Sequence, residues 1–324
     1  MKRIILLMMT VLLTLALFVG CANQTTSDDN EAKQTEEQTS EVSEDQQTTD
    51  VGEPEAGKKV LGVVMYDLVN QFFVDMVEGG NEAAEDFGVE VIWKSSDGNL
   101  DKQIALIENF TEQGVDCILV DPIDNVGITP AIEKAAAAGI PTITMAGDVD
   151  LPTNYNTRYG DYEVTKNIAR ILAHSIGEEG KVALLYGNKG NVVSDQRQLG
   201  FNDGMAEFPG IEVIEQPSNW DPANGLKVMQ DIIAANPDLK AYHSVCGAVT
   251  VAAYQAVKTA EKTDSITVTS FDGNLEEIEA VTNGEFLLTV LVGAKRVGYW
   301  NIKIAALLTR GELPEEHTLN MPLH

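Results

Sequence analysis

From Lys59 onward the chain alternates short apolar runs with longer amphipathic stretches. The runs VLGVVMY, VEVIW, DCILV and PTITM come first, followed by KVALLY, IEVIEQ, AYHSV, SITVTSF and LLTVLV. Near-continuous apolar runs predict strands buried on both faces, and hence parallel sheets covered by helices. The spacing between them predicts helices over Phe72–Phe87, Asp101–Gln113, Thr129–Ala138, Tyr162–Ile176, Asp195–Phe208, Pro222–Ala235, Ala248–Glu261, Leu275–Asn283 and Ala294–Arg310. Gly88, Gly114, Gly139 and Gly177 each follow a helical run, where a left-handed terminal residue favours glycine. The fold class is α/β. Nine strands are many for one sheet, and a break near YNTRYGDY suggests two lobes of similar architecture. Open α/β sheets bind ligands at the carboxyl ends of their strands. Those ends carry Asp67, Asn70, Asp121, Asp148, the stretch Asn188–Arg197, Cys246 and Asp272, a polar and mostly acidic set.

One junction breaks the pattern. In YDLVNQFFVDMVEGG a strand gives way to a helix, and two phenylalanines, Phe72 and Phe73, stand side by side. Neighbours on a helix point about 100° apart, so one narrow face cannot bury both. Either both are core at a crowded junction, or one faces something else.

The first residues change the picture of where the chain works. MKR precedes the apolar run IILLMMTVLLTLALFVG, which ends in Gly20, and Cys21 follows it. These features favour a cleaved signal peptide over an uncleaved anchor, and either places the remainder outside the cytoplasm. Ala22–Gly57 is rich in Gln, Thr, Ser, Glu and Asp and holds eleven acids against one lysine. Such a segment cannot bury enough apolar surface to order itself and reads as a self-repelling tether. The net charge of −28 divides into +2 before Cys21, −10 in the tether and −20 in the rest. That balance argues against nucleic acid, whose binding rests on Lys and Arg.

The chemistry that remains is limited. The sequence has no G-x-S-x-G elbow, no P-loop and no G-x-G-x-x-G. YGNKGNVVS is glycine-rich after a strand but lacks the Lys-Ser/Thr ending of a phosphate cradle. The four histidines, His174, His243, His317 and His324, show no metal-ligand spacing, and no CxxC pair occurs. Cys117 reads as a small core residue, and a bridge between Cys117 and Cys246 remains open. No catalytic residue, metal or cofactor is expected.

Several segments carry a resemblance. NQFFVDMVEGGNEAAEDFGVEV, DKQIALIENFTEQGVDCILVDPID, AIEKAAAAGIPTIT, RQLGFNDGM, WDPANGLKVMQDIIAANPDLKA and SFDGNLEEIEAVTNGEF keep their order and spacing. Together they resemble the type I solute-binding proteins of ABC transporters, in the ribose-binding branch. Leu17–Cys21 resembles a bacterial lipobox with Cys21 as the lipid-carrying residue.

The resemblance implies two Rossmann-like lobes joined by three crossovers. Residues 1–20 would be the signal peptide and 21–57 the lipidated cysteine and tether. Residues 58–160 with 293–318 would form the N-terminal lobe, and 161–292 with 319–324 the C-terminal lobe. It implies a monomer at the outer face of the cell membrane, held through Cys21, that hands a small sugar or polyol-like ligand to an ABC permease. A receptor docking on a sensor is the alternative.

By position, Asn70 would hydrogen-bond the ligand, Phe72 and Phe73 would line its pocket, and Trp220 would stack opposite. Asp272 would accept from hydroxyls. The chain also departs from ribose binders. Ala146 and Gly147 replace an Asp-Arg pair, with Asp148 next. Val245 and Val292 replace amides, and Asp195 takes an arginine's place with Arg197 two residues on. The VSDQ run is similar to binders of a furanosyl autoinducer, although Tyr66 replaces their lysine. Asp148, Asp195 and Arg197 complete the candidate ligand set.

Overall fold

The computed structural model describes residues 57–312 and 316–321. The signal peptide, Cys21 and the tether up to Ala56 lie outside the described residues. In chain order the first elements are β1 (Lys59–Met65), α1 (Gln71–Phe87), β2 (Val89–Ser95), α2 (Leu100–Gln113), β3 (Cys117–Val120), α3 (Asn125–Ala137), β4 (Thr142–Met145) and β5 (Asn154–Arg158). Next come α4 (Asp161–Ser175), β6 (Glu179–Tyr186), α5 (Val192–Met205), β7 (Gly210–Pro217), α6 (Pro222–Ala235) and β8 (Leu239–Ser244). The last are α7 (Gly247–Thr259), β9 (Thr267–Thr269), α8 (Leu275–Thr282), α9 (Ala294–Thr309) and β10 (Thr318–Asn320).

Two parallel sheets result. The first has the order β10-β5-β4-β3-β1-β2 and the second β7-β6-β8-β9. Both faces of each sheet are covered, which is why the strands lack apolar–polar alternation. In β1, Leu61, Val63 and Met65 belong to one core with Met76 of α1 and Ile302 of α9. Val64 points the other way, into a core with Ile107 of α2 and Ile128 of α3.

Asparagine and aspartate side chains start most of the helices that follow strands. Asn70, Asn99, Asp124, Asn191 and Asp221 each accept a backbone N–H of the first turn of α1, α2, α3, α5 and α6. These caps move two predicted starts. The α3 helix begins at Asn125 rather than Thr129 and carries Pro130 inside it, because Asp124 caps it. The α5 helix begins at Val192 rather than Asp195, because Asn191 caps it.

Two strands escaped the apolar pattern, and one apolar run is no strand. The β5 sequence NYNTR is polar yet largely buried. Asn154 and Asn156 donate to the carbonyl of Val149 at 3.0 and 3.1 Å, and Asn156 Oδ1 accepts from Val149 N at 2.9 Å. Thr157 donates to Asn301 of α9 at 3.0 Å. Side chains that satisfy one another can be buried without hydrophobicity. LLTVLV, conversely, makes only isolated bridges at Leu288 and Leu291 as it passes from one sheet toward the other.

The carboxyl-terminal assignment also changes. Thr318–Asn320 pairs with Asn156–Arg158 in the first sheet. Leu319 and Asn320 therefore stand with the N-terminal lobe, not with the C-terminal lobe as 319–324 was read. Cys117 and Cys246 are free and buried, and burial raises both thiols.

Candidate functional site

A cavity of about 90 Å³ lies between the carboxyl ends of the two sheets. At roughly 10–15 Å³ per water position, it suits one small molecule rather than a chain of several units.

The first wall is built where β1 meets α1. Asp67 Oδ1 accepts from Val69 N at 2.9 Å and Asn70 N at 2.8 Å, closing a tight turn. Asn70 Oδ1 then accepts from Phe72 N at 3.0 Å. The cap occupies the oxygen, and Asn70 lines the cavity. Phe72 and Phe73 sit edge to face, with centroids 5.5 Å apart. Phe73 stacks on Tyr66 at 6.2 Å and 17°. Both phenylalanines line the cavity and also pack on the core beneath α1. The adjacency puzzle resolves at the helix end, where no preceding turn covers them.

The opposite wall holds Trp220, at φ 61 after Asn219 at φ 55. A Cβ at Gly187 would stand 2.2 Å from the indole, so glycine there lets the ring lie flat against the β6–α5 loop.

The floor is a buried charge cluster. Arg197 donates through Nε to Asp161 at 2.7 Å and through Nη1 to the carbonyl of Val245 at 2.6 Å. Its guanidinium lies 3.6 Å over the Phe271 ring and 3.5 Å from Asp272. Asp272 Oδ2 also accepts from Gly247 N, at the start of α7, at 2.8 Å. Burial pushes the Asp272 carboxyl up, against the pull of Arg197 and that amide. Asp121 is pushed up to about 7 by burial and by Asp67, with the Tyr66 amide opposing.

Of the expected residues, Asn70, Phe72, Phe73, Arg197, Trp220 and Asp272 are brought together around the cavity. Asp148 and Asp195 are not. Ala146 takes φ 54 after β4, and the chain doubles back there. Asp148 is thereby turned to pair with Arg158, away from the cleft. Asp195 accepts from Gly190 N at 3.1 Å and is spent on its own loop. Val245 and Val292 are fully buried and do not line the cavity. Tyr159, Met76 and Met145 line it without having been singled out, whereas Asn191, which also lines it, falls in the named stretch Asn188–Arg197. Tyr159 follows the polar strand β5, so the strand-end rule would have found it had that strand been recognised. The same rule did point to Asp67, Asp121 and Cys246, which line the cavity too.

A model of the periplasmic binding protein domain matches residues 61–313. The chain belongs to that family. Within it, this periplasmic binding protein is of type I and similar to the ribose-binding branch. It is 28% identical over 256 residues to the ribose import binding protein of Escherichia coli K12, covering 79% of this chain and 86% of that one. It is 28% identical over 255 residues to the D-allose-binding periplasmic protein of the same organism, covering 75% and 82%. Among solved structures, an ABC transporter solute-binding protein from Actinobacillus succinogenes with bound D-allose superposes at a TM-score of 0.77. That pair is 26% identical, with 82% of this chain and 96% of that one covered. Members of this family are substrate-binding proteins that work outside the cytoplasm.

Proposed function

We propose that this binding protein captures one small, uncharged sugar or polyol and delivers it to an ABC permease. The observation that carries the reading is the pairing of aromatic plates with carboxylates around a small interlobe cavity. A sugar offers apolar C–H faces to Phe72, Phe73 and Trp220 and a rim of hydroxyls to Asn70, Asp121 and Asp272. Arg197 orients that rim while its charge is already met by Asp161 and Asp272. With Asp67 and Asp121 added, the cavity is acidic, so sugar acids and phosphates are disfavoured. The ribose and allose relatives support the ligand class.

Binding is coupled to closure. The ligand touches both walls only when the lobes shut, and so shifts the open–closed population by its differential affinity. Cys21 would anchor the protein through lipid, with the acidic tether holding a monomeric receptor off the membrane. No bond of the ligand is broken. Native mass spectrometry of freshly purified protein, followed by calorimetry with the recovered compound, tests the reading. A neutral polyhydroxylated ligand recovered intact is expected. Preferential binding of an anionic ligand, or chemical turnover, overturns it.

A further inference from the structure

The glycine-rich stretch YGNKGNVVS has the look of a phosphate loop without its chemistry, and the cavity uses only part of it. In the structure it crosses the cleft. Asn191 of the second lobe donates through Nδ2 to the Pro122 carbonyl of the first lobe at 2.8 Å, and the residue is 7% exposed. Asn188 donates to the Tyr66 hydroxyl at 3.2 Å. Gly190, at φ 88, passes so close to Asp124 that a Cβ would stand 3.2 Å from its carboxylate.

Both halves of the main contact are held rigidly. Asn191 Oδ1 caps α5 by accepting from Ser194 N at 3.0 Å, which fixes the amide and aims Nδ2 outward. On the other side, the fully buried Gln103 donates to Asp121 O at 2.8 Å and accepts from Ile123 N at 2.9 Å. Gln103 thereby brackets the turn that presents Pro122. The contact is protein to protein and needs nothing in the cavity.

We propose that the Gly187–Val193 loop is a built-in latch, with Asn191 as its bolt, that populates the closed state of the binding protein before any ligand arrives. A preformed closed fraction enters the apparent affinity for every ligand by the same factor. The latch therefore sets the strength and duration of capture, while the aromatic and acidic walls set its selectivity. The inference rests on the two-lobe closure described above but not on the identity of the sugar.

The test measures lobe separation in the ligand-free full chain. Spin labels at Val126→Cys and Leu199→Cys, both exposed positions on opposite lobes, report it by dipolar spectroscopy. Cys117 and Cys246 are buried and are left unlabelled, and every sample carries Cys21→Ser. The expected result is a substantial short-distance population in the protein with its latch intact. Asn191→Asp keeps the cap oxygen but sets a carboxylate against the Pro122 carbonyl, and should lower the closed-to-open ratio tenfold or more. Asn191→Ser keeps a cap but cannot reach Pro122, and should lower the ratio about three- to tenfold, the range for one lost hydrogen bond. A merely structural role would lower the melting temperature and leave the distances unchanged. Unchanged distances in both variants, or no short-distance population in the intact chain, overturns the proposal. The measurement contains no ligand, so a wrong sugar assignment would not affect it.

Discussion

Trp220 and Asp272 both sit at positive φ, 61° and 111°, without being glycine. Such conformations cost of order 1–3 kcal/mol and persist where the surroundings enforce them, commonly at binding sites. Trp220→Ala and Asp272→Ala should each weaken ligand affinity at least tenfold by calorimetry; unchanged affinity in both would remove them from the site. Gly187→Ala drives a Cβ into the indole and should weaken binding comparably while Trp220 itself is intact.

Asp121 makes a different prediction at the same scale. Its carboxyl titrates near 7 in the folded chain because of burial and Asp67, against an ordinary value of about 3.9. Between those values the unfolded chain ionises first, so this group's contribution to stability falls as pH rises from about 4 to 7. Asp121→Asn removes that penalty. Its melting temperature relative to the parent should rise between pH 5 and pH 8; a difference that stays flat across that range contradicts the assignment.

At the scale of elements, helix ends were legible because glycine marks them: those after α1 and α2 adopt φ of 60° and 67° as a left-handed end requires. The starts of α3 and α5 were read four and three residues late, because the caps Asp124 and Asn191 precede stretches without a clear amphipathic pattern. The polar strand β5 was not legible. Its burial depends on Val149, Thr144 and Asn301 arriving from other parts of the chain, and no local pattern reports that. Asn156→Ala should expose the consequence by stranding Val149 N–H, at a cost of about 1–3 kcal/mol. A urea denaturation midpoint that fails to fall would mean water replaces the asparagine. The LLTVLV run erred the other way. Its apolar residues are needed at a crossover, where the chain passes between sheets instead of pairing along one.

For the whole molecule, the return of the chain to its first lobe depends on a close helix crossing. A Cβ at Gly79 would lie 1.8 Å from the Lys295 carbonyl oxygen, and one at Gly298 would lie 1.8 Å from the Met76 carbonyl oxygen. The α1 and α9 backbones therefore touch with glycine on both sides. Gly298→Ala should force them apart and cost about 1–3 kcal/mol, read as a lower melting temperature. Because α1 carries Phe72 and Phe73, the same variant should also weaken ligand binding; a variant as stable as the parent would show that the helices slide freely.

The sequence by itself determined the α/β class, the two lobes and the strand ends at which a ligand would bind, since periodicity, caps and strand-end topology are local or additive properties. The resemblance to ribose binders pointed to Asn70, the phenylalanine pair, Trp220 and Asp272, and these line one cavity. Only the tertiary structure decided between Arg197, Asp195 and Asp148. All three are charged residues near strand ends, and each is free to turn several ways. Arg197 faces the cavity because Asp161, Val245 and Asp272 converge on it from three separate segments. Asp148 and Asp195 were claimed instead by Arg158 and Gly190. Which partner a charge finds is a matter of distance in space, and that distance exists only once the lobes are built.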